Sequence, residues 1–148
     1  MALNKTKGNM NEFVNITEKV KTFEDACKVL GLDPKNLPIV ENLPEKDRQS
    51  IIAYFKLTII ARALNEGWEP DFTDWNEWKY WNWFYVESNG AVAGFACALT
   101  HSTASNTTAT IGSRLCFKTR ELATYAREQF QDLYFEYLFI EMPKNYKK

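Results

Sequence analysis

Few residues in this chain have the type and spacing that chemistry requires. His101 is the single histidine. Acid–base work by a histidine needs a partner that orients it, and no such motif surrounds His101, so it reads as a solvated residue at a strand end. Glu66, Glu69, Asp71, Asp74 and Glu77 lie close together. A carboxylate pair is conceivable there. Spacings of two or three residues in irregular chain define no geometry, however, and an exposed acidic loop is the simpler reading. Cys27, Cys97 and Cys116 are odd in number and form no C-x-x-C pair. They read as free thiols of a reducing compartment, Cys97 and Cys116 buried in apolar runs. No histidine pair or Cys/His cluster has metal spacing. Gly90, Gly94 and Gly112 are isolated and make no phosphate loop. The expectation is therefore no catalytic residues, no metal, no cofactor and no enzymatic activity.

Arg114 is the cation of most interest, with Arg120 near it. A guanidinium beside aromatic rings can stack on one or hold a phosphate. Its plainer role is an ion pair with the acidic stretch of residues 66–77. Those rings form the densest feature of the chain. Trp68, Trp75, Trp78, Trp81 and Trp83 are all five tryptophans, and Tyr80, Phe84 and Tyr85 lie among them. Filling a core is the first reading of this belt. Contact with a protein is the second, because Trp and Tyr anchor interfaces. Stacking on single-stranded nucleic acid is the third. That needs a basic groove, and residues 66–80 carry five acids against one lysine.

The elements that must position these residues follow from periodicity. Thr22-Phe-Glu-Asp25 resembles a capping box with Asp in place of Glu. It opens a helix with Phe23, Ala26, Cys27 and Leu30 as its stripe, closed by Gly31. Residues 45–65 form a second helix, with Ile52, Phe55, Ile59 and Ala63 on one line. From Tyr80 the period becomes two, with Trp81, Trp83 and Tyr85 on one face. Ser88-Asn-Gly90 signals a hairpin, and a return strand follows over 92–100. Residues 101–110 are a long Ser/Thr/Asn loop, and 113–118 are a third strand. Thr119 caps a final helix with Leu122, Ala126, Phe130, Leu133 and Tyr137 on one line. The expected fold is α+β: an N-terminal helical pair, a small antiparallel three-stranded sheet and a long C-terminal helix. Residues 1–21 are expected to be a flexible arm, 22–142 a single domain and 143–148 a basic tail.

Three segments resemble a family of small proteins from gut Bacteroides-type phages and prophages. They are Thr22-Phe-Glu-Asp-Ala-Cys-Lys-Val-Leu-Gly-Leu-Asp-Pro34, Glu66-Gly-Trp-Glu-Pro-Asp-Phe72 with Lys79-Tyr80, and Gly112-Ser-Arg-Leu-Cys-Phe-Lys-Thr-Arg-Glu-Leu-Ala123. The likeness covers roughly residues 22–140. Members carry a proline near the place of Asn82. The family has no assigned activity, so the resemblance implies provenance and no site residues.

The net charge of −1 argues against a general nucleic-acid coat protein. No apolar run reaches the roughly 18 residues a bilayer span needs, and the polar first residues are no secretory signal. A cytoplasmic or phage-particle location is expected. The expected function is that of a non-enzymatic phage or prophage accessory protein, a minor virion component or host-interaction factor, working by protein contact or self-association. Trp75, Trp78, Trp81, Trp83 and Arg114 are its expected partner-binding residues. The alternative is a single-stranded nucleic-acid binder using Trp81, Trp83, Arg114 and Lys118.

Overall fold

Thr22 and Asp25 complete the capping box that their types predict. The Thr22 hydroxyl accepts from the Asp25 N–H at 3.1 Å, and the Asp25 carboxylate accepts from the Thr22 N–H at 3.0 Å. A third donor, the Lys21 N–H, reaches the same carboxylate at 3.0 Å, and these bonds, Lys21's first, hold the Asp25 carboxyl below its usual range. In the computed structural model, which describes residues 15–84, the backbone of 101–103, and 111–141, this box starts α2 (Phe23–Leu30). Gly31 ends α2 at φ 68°, a conformation that favours glycine.

The core reaches back before Thr22. Asn15 caps a one-turn helix, α1 (Ile16–Lys19), and Ile16 and Val20 are buried in the main core. Tyr125 Oη donates to the Val20 carbonyl at 2.7 Å, and Gln129 Nε2 to the Lys21 carbonyl at 2.8 Å. Helix α3 (Glu45–Leu64) is the centre of the fold and touches α1, α2 and both C-terminal helices. In its second half Leu57 to Ala61, Ala63 and Leu64 are buried, with Arg62 the exposed exception.

Among the described residues the expected three-stranded antiparallel sheet is not formed. The described fold is mostly helical. Its β structure is one short antiparallel ladder, β1 (Lys79–Trp81) against β2 (His101–Thr103), with Tyr80 opposite Ser102. The hairpin at 88–90 and the return strand at 92–100 lie outside the described residues. The expected third strand is instead a 3-10 turn (Ser113–Leu115) running into a single bridge between Tyr80 and Phe117. The reason is burial. Leu115, Cys116 and Phe117 are all buried, whereas a half-buried strand alternates.

Asn65 holds that segment in place. It is 5% exposed, at the end of α3. Its Nδ2 donates to the Cys116 carbonyl at 2.8 Å, and its Oδ1 accepts from the Lys118 N–H at 3.1 Å. Phe117 meanwhile exchanges both backbone bonds with Tyr80, at 2.7 and 3.1 Å. The side chain of Asn65 thus takes the place of a neighbouring strand.

The aromatic strand stops at Trp81 for a similar reason. Asn82 is buried and donates to the Ala123 carbonyl at 2.8 Å and to Tyr134 Oη at 3.2 Å. Phe84 packs on Tyr134 and Phe135 at centroid distances of 5.3 and 5.6 Å. The expected long C-terminal helix is two helices. Thr119 caps α4 (Arg120–Gln129), the buried Phe130 leaves helical geometry at ψ 29°, and α5 (Gln131–Leu138) follows. The bend lays α5 along α3, where Tyr137 meets Tyr54 at 5.2 Å.

Replacing Asn65 with Ala orphans one buried acceptor and one buried donor, so Asn65→Ala is expected to cost about 2–4 kcal/mol. A lower urea midpoint with retained helical circular dichroism checks this. Burial pushes the Cys116 thiol up to about 11 and the Tyr134 hydroxyl up to about 12. Both groups are neutral when protonated, and the unfolded chain loses those protons first. The stability that these two groups contribute is therefore expected to be complete below about pH 9 and to fall as pH rises from about 9 towards 12. Urea midpoints across that range test the sign, and Tyr134→Phe should flatten the part above pH 10.

Candidate functional site

After α3 the chain turns through Glu66 and Gly67, at φ 49° and 87°, and enters a loop, residues 68–78. This loop is built around a lysine. Lys79 is wholly buried, and its Nζ donates to the Asp74 and Glu77 carbonyls, both at 3.0 Å. It pairs with Glu77 Oε1 at 3.2 Å and lies over the Phe72 ring at 5.5 Å. Burying an ammonium is costly unless it is paired and hydrogen-bonded, and here it is both.

Glu77 extends the network outward. Its Oε2 accepts from Trp68 Nε1 at 3.1 Å, and its Oε1 from the Asp71 N–H at 2.7 Å. Asp71 Oδ1 accepts from the Thr73 hydroxyl at 2.6 Å and from the Thr73 N–H at 2.8 Å. These bonds hold the Asp71 carboxyl below its ordinary range. Asp74 Oδ1 accepts from the Asn76 N–H at 2.9 Å, and Glu66 pairs with Lys118 at 3.0 Å. Four of the five clustered acids are therefore bound to the chain itself. They shape the loop and form no paired acid–base site.

The braced loop raises two indoles. Trp75 is 69% exposed and Trp78 is 53% exposed. Trp81, on β1, and Trp83 are half-buried. Arg114 is elsewhere. It projects from the 3-10 turn and helps to line a cavity of about 330 Å³. Thr58 and Arg62 enter this cavity from α3, Trp68 and Glu69 from the loop, and Ser113 from the turn. The structure thus separates the expected contact residues. Trp75 and Trp78 stand on the loop surface, and Arg114 shares its cavity with Trp68.

Arg62 and Asn65 were not singled out from the sequence. Arg62 had a signal, as the one charge among apolar residues 59–64. Asn65 looked like a helix stop. Cys27 and Cys116 are both buried, and the Cys116 thiol donates to the Gly112 carbonyl at 3.2 Å. No group of His, Cys, Asp or Glu among the described residues could hold a metal ion. No helix among them is long and apolar enough to cross a membrane. Of His101, only the backbone, paired with Trp81, is described.

Comparison with protein-family models, with curated proteins and with solved structures finds no match.

Glu77→Gln removes the carboxylate of the buried pair and weakens the bond to Trp68. Glu77 is one-quarter exposed, so the loss is expected to be about 1–3 kcal/mol, below that of a fully buried pair. Urea denaturation followed by tryptophan emission measures it. Glu69→Gln, which touches no such network, should change stability by less than about 0.5 kcal/mol.

Proposed function

We propose that the chain is a non-enzymatic interaction protein that binds a protein partner through Trp75 and Trp78. The observation that carries this reading is the exposure of two indoles on a loop tied to a buried ion pair. Large exposed rings invite contact, and a loop braced beforehand loses little entropy on binding. Glu69, Asp71 and Asp74 precede the rings in sequence and are exposed, which puts negative charge on the same loop. The partner that fits has an apolar recess rimmed by lysine or arginine. A phage or prophage accessory role is the setting that the family resemblance implies. The half-buried Trp81 and Trp83 flank the contact and do not anchor it.

The nucleic-acid alternative is less well supported. Its cation Lys118 is paired with Glu66, and its rings Trp81 and Trp83 are half-buried. Its other cation, Arg114, lines a cavity that neither Trp81 nor Trp83 lines.

Capture from host lysate with the wild type and with the Trp75→Ala/Trp78→Ala double variant tests the proposal, with light scattering to detect self-association. The expected result is a partner bound in a salt-sensitive way and lost by the double variant, with affinity reduced roughly 30-fold or more. The urea midpoint should be unchanged. A partner held equally by the double variant, or a monomer that retains none, would refute it.

A further inference from the structure

The cavity between α3, the loop and the 3-10 turn poses a separate question. Arg62 and Arg114 come from segments 52 positions apart and line the same recess. Like charges that share a partly enclosed space repel. Neither guanidinium forms an ion pair or hydrogen bond with another described residue. Glu69, the carboxylate in the lining, pairs with neither. The cations nearby in the chain are treated differently: Lys79 has Glu77, and Lys118 has Glu66. Two arginines without a described partner line this recess, Arg62 standing between it and a second cavity lined by Asp33, and guanidinium groups so placed are suited to an anion of carboxylate or phosphate geometry.

The other walls narrow the class. Trp68 forms one side, and its indole is fixed by the 3.1 Å bond to Glu77 before any ligand arrives. A fixed ring is a stacking surface with little ordering cost. The Thr58 hydroxyl is committed to the Phe55 carbonyl, and the Asn65 amide to Cys116 and Lys118. Ser113 and Glu69 remain, a hydroxyl to support the anion and a carboxylate to accept an N–H. The volume, about 330 Å³, is at the small end of ligand pockets.

We propose that this cavity binds a small organic anion, its phosphate or carboxylate group on Arg62 and Arg114 and its flat ring against Trp68. The site is independent of the protein contact at Trp75 and Trp78.

Isothermal titration of the full chain with adenosine monophosphate and with indole-3-acetate tests it, with adenosine and inorganic phosphate as controls. At least one of the two ring-bearing anions is expected to bind with a Kd below about 1 mM. Which one binds shows which combination of ring and anionic group the cavity accepts. Adenosine should bind at least roughly 10-fold more weakly than adenosine monophosphate, and Arg114→Gln should weaken the bound anion about 10-fold. Arg114 is exposed and unpaired, so this variant should keep the wild-type melting temperature. The Trp75→Ala/Trp78→Ala variant should bind the anion as the wild type does. Absence of binding by both anions at about 10 mM overturns the proposal, as does equal binding by Arg114→Gln and Arg62→Gln. Inorganic phosphate binding as tightly as adenosine monophosphate overturns the role given to Trp68.

Discussion

A single buried amide at the end of α3 decides how the two halves of this chain meet. The helices from Ile16 to Leu64 could pack as a small bundle, but residues 116–118 lie in no helix or strand, and a single bridge at Phe117 leaves their other backbone groups to be satisfied. Asn65 supplies one donor and one acceptor, spaced to match Cys116 and Lys118. Tyr80 satisfies Phe117 from the other side. With its polar groups bonded, this segment can bury Leu115, Cys116 and Phe117 together against α3. The loop, the 3-10 turn and the start of α4 all take their positions from that junction.

The loop before β1 repeats this logic with charge. Lys79 is placed where no water reaches it, and Glu77 and two carbonyls compensate. Asp71 and Asp74 then accept from the neighbouring Thr73 and Asn76 N–H groups, and Glu66 pairs with Lys118. Negative charge that could suggest catalysis is spent on holding backbone. What the loop presents outward is apolar ring, at Trp75 and Trp78, while its inner edge contributes Trp68 to the cavity. The proposed protein contact and the proposed anion site fall at opposite ends of one braced segment, with Glu77 bonded to Trp68 and adjacent in sequence to Trp78.

The helices were legible because their signals are local. Thr22 with Asp25, Gly31, and the apolar line of α3 act within a few residues. The C-terminal apolar line from Leu122 to Tyr137 was legible too, but not the break at Phe130, itself a line position, because Leu122 and Ala126 before it and Leu133 and Tyr137 after it still pack on the core. The β structure was misread. Alternation of rings from Tyr80 implied a long strand, yet Asn82 turns inward to Ala123 and Tyr134. The run at 113–118 implied another, yet three successive residues are buried there. In the site, neither the Glu77–Lys79 pair that braces the loop of Trp75 and Trp78 nor the cavity that Arg62 and Arg114 line from 52 positions apart was legible.

Sequence alone determined where α2 and α3 begin and end and where α4 begins, that the acids cluster, and that all five tryptophans crowd into one stretch. These are properties of neighbours along the chain, set by capping, propensity and period. The tertiary structure decided which rings are exposed, which acids are free and which arginines share a space. Those outcomes depend on long-range partners, Asn65 with residue 116 and Glu66 with residue 118, and on which polar groups remain unsatisfied once those pairs have formed.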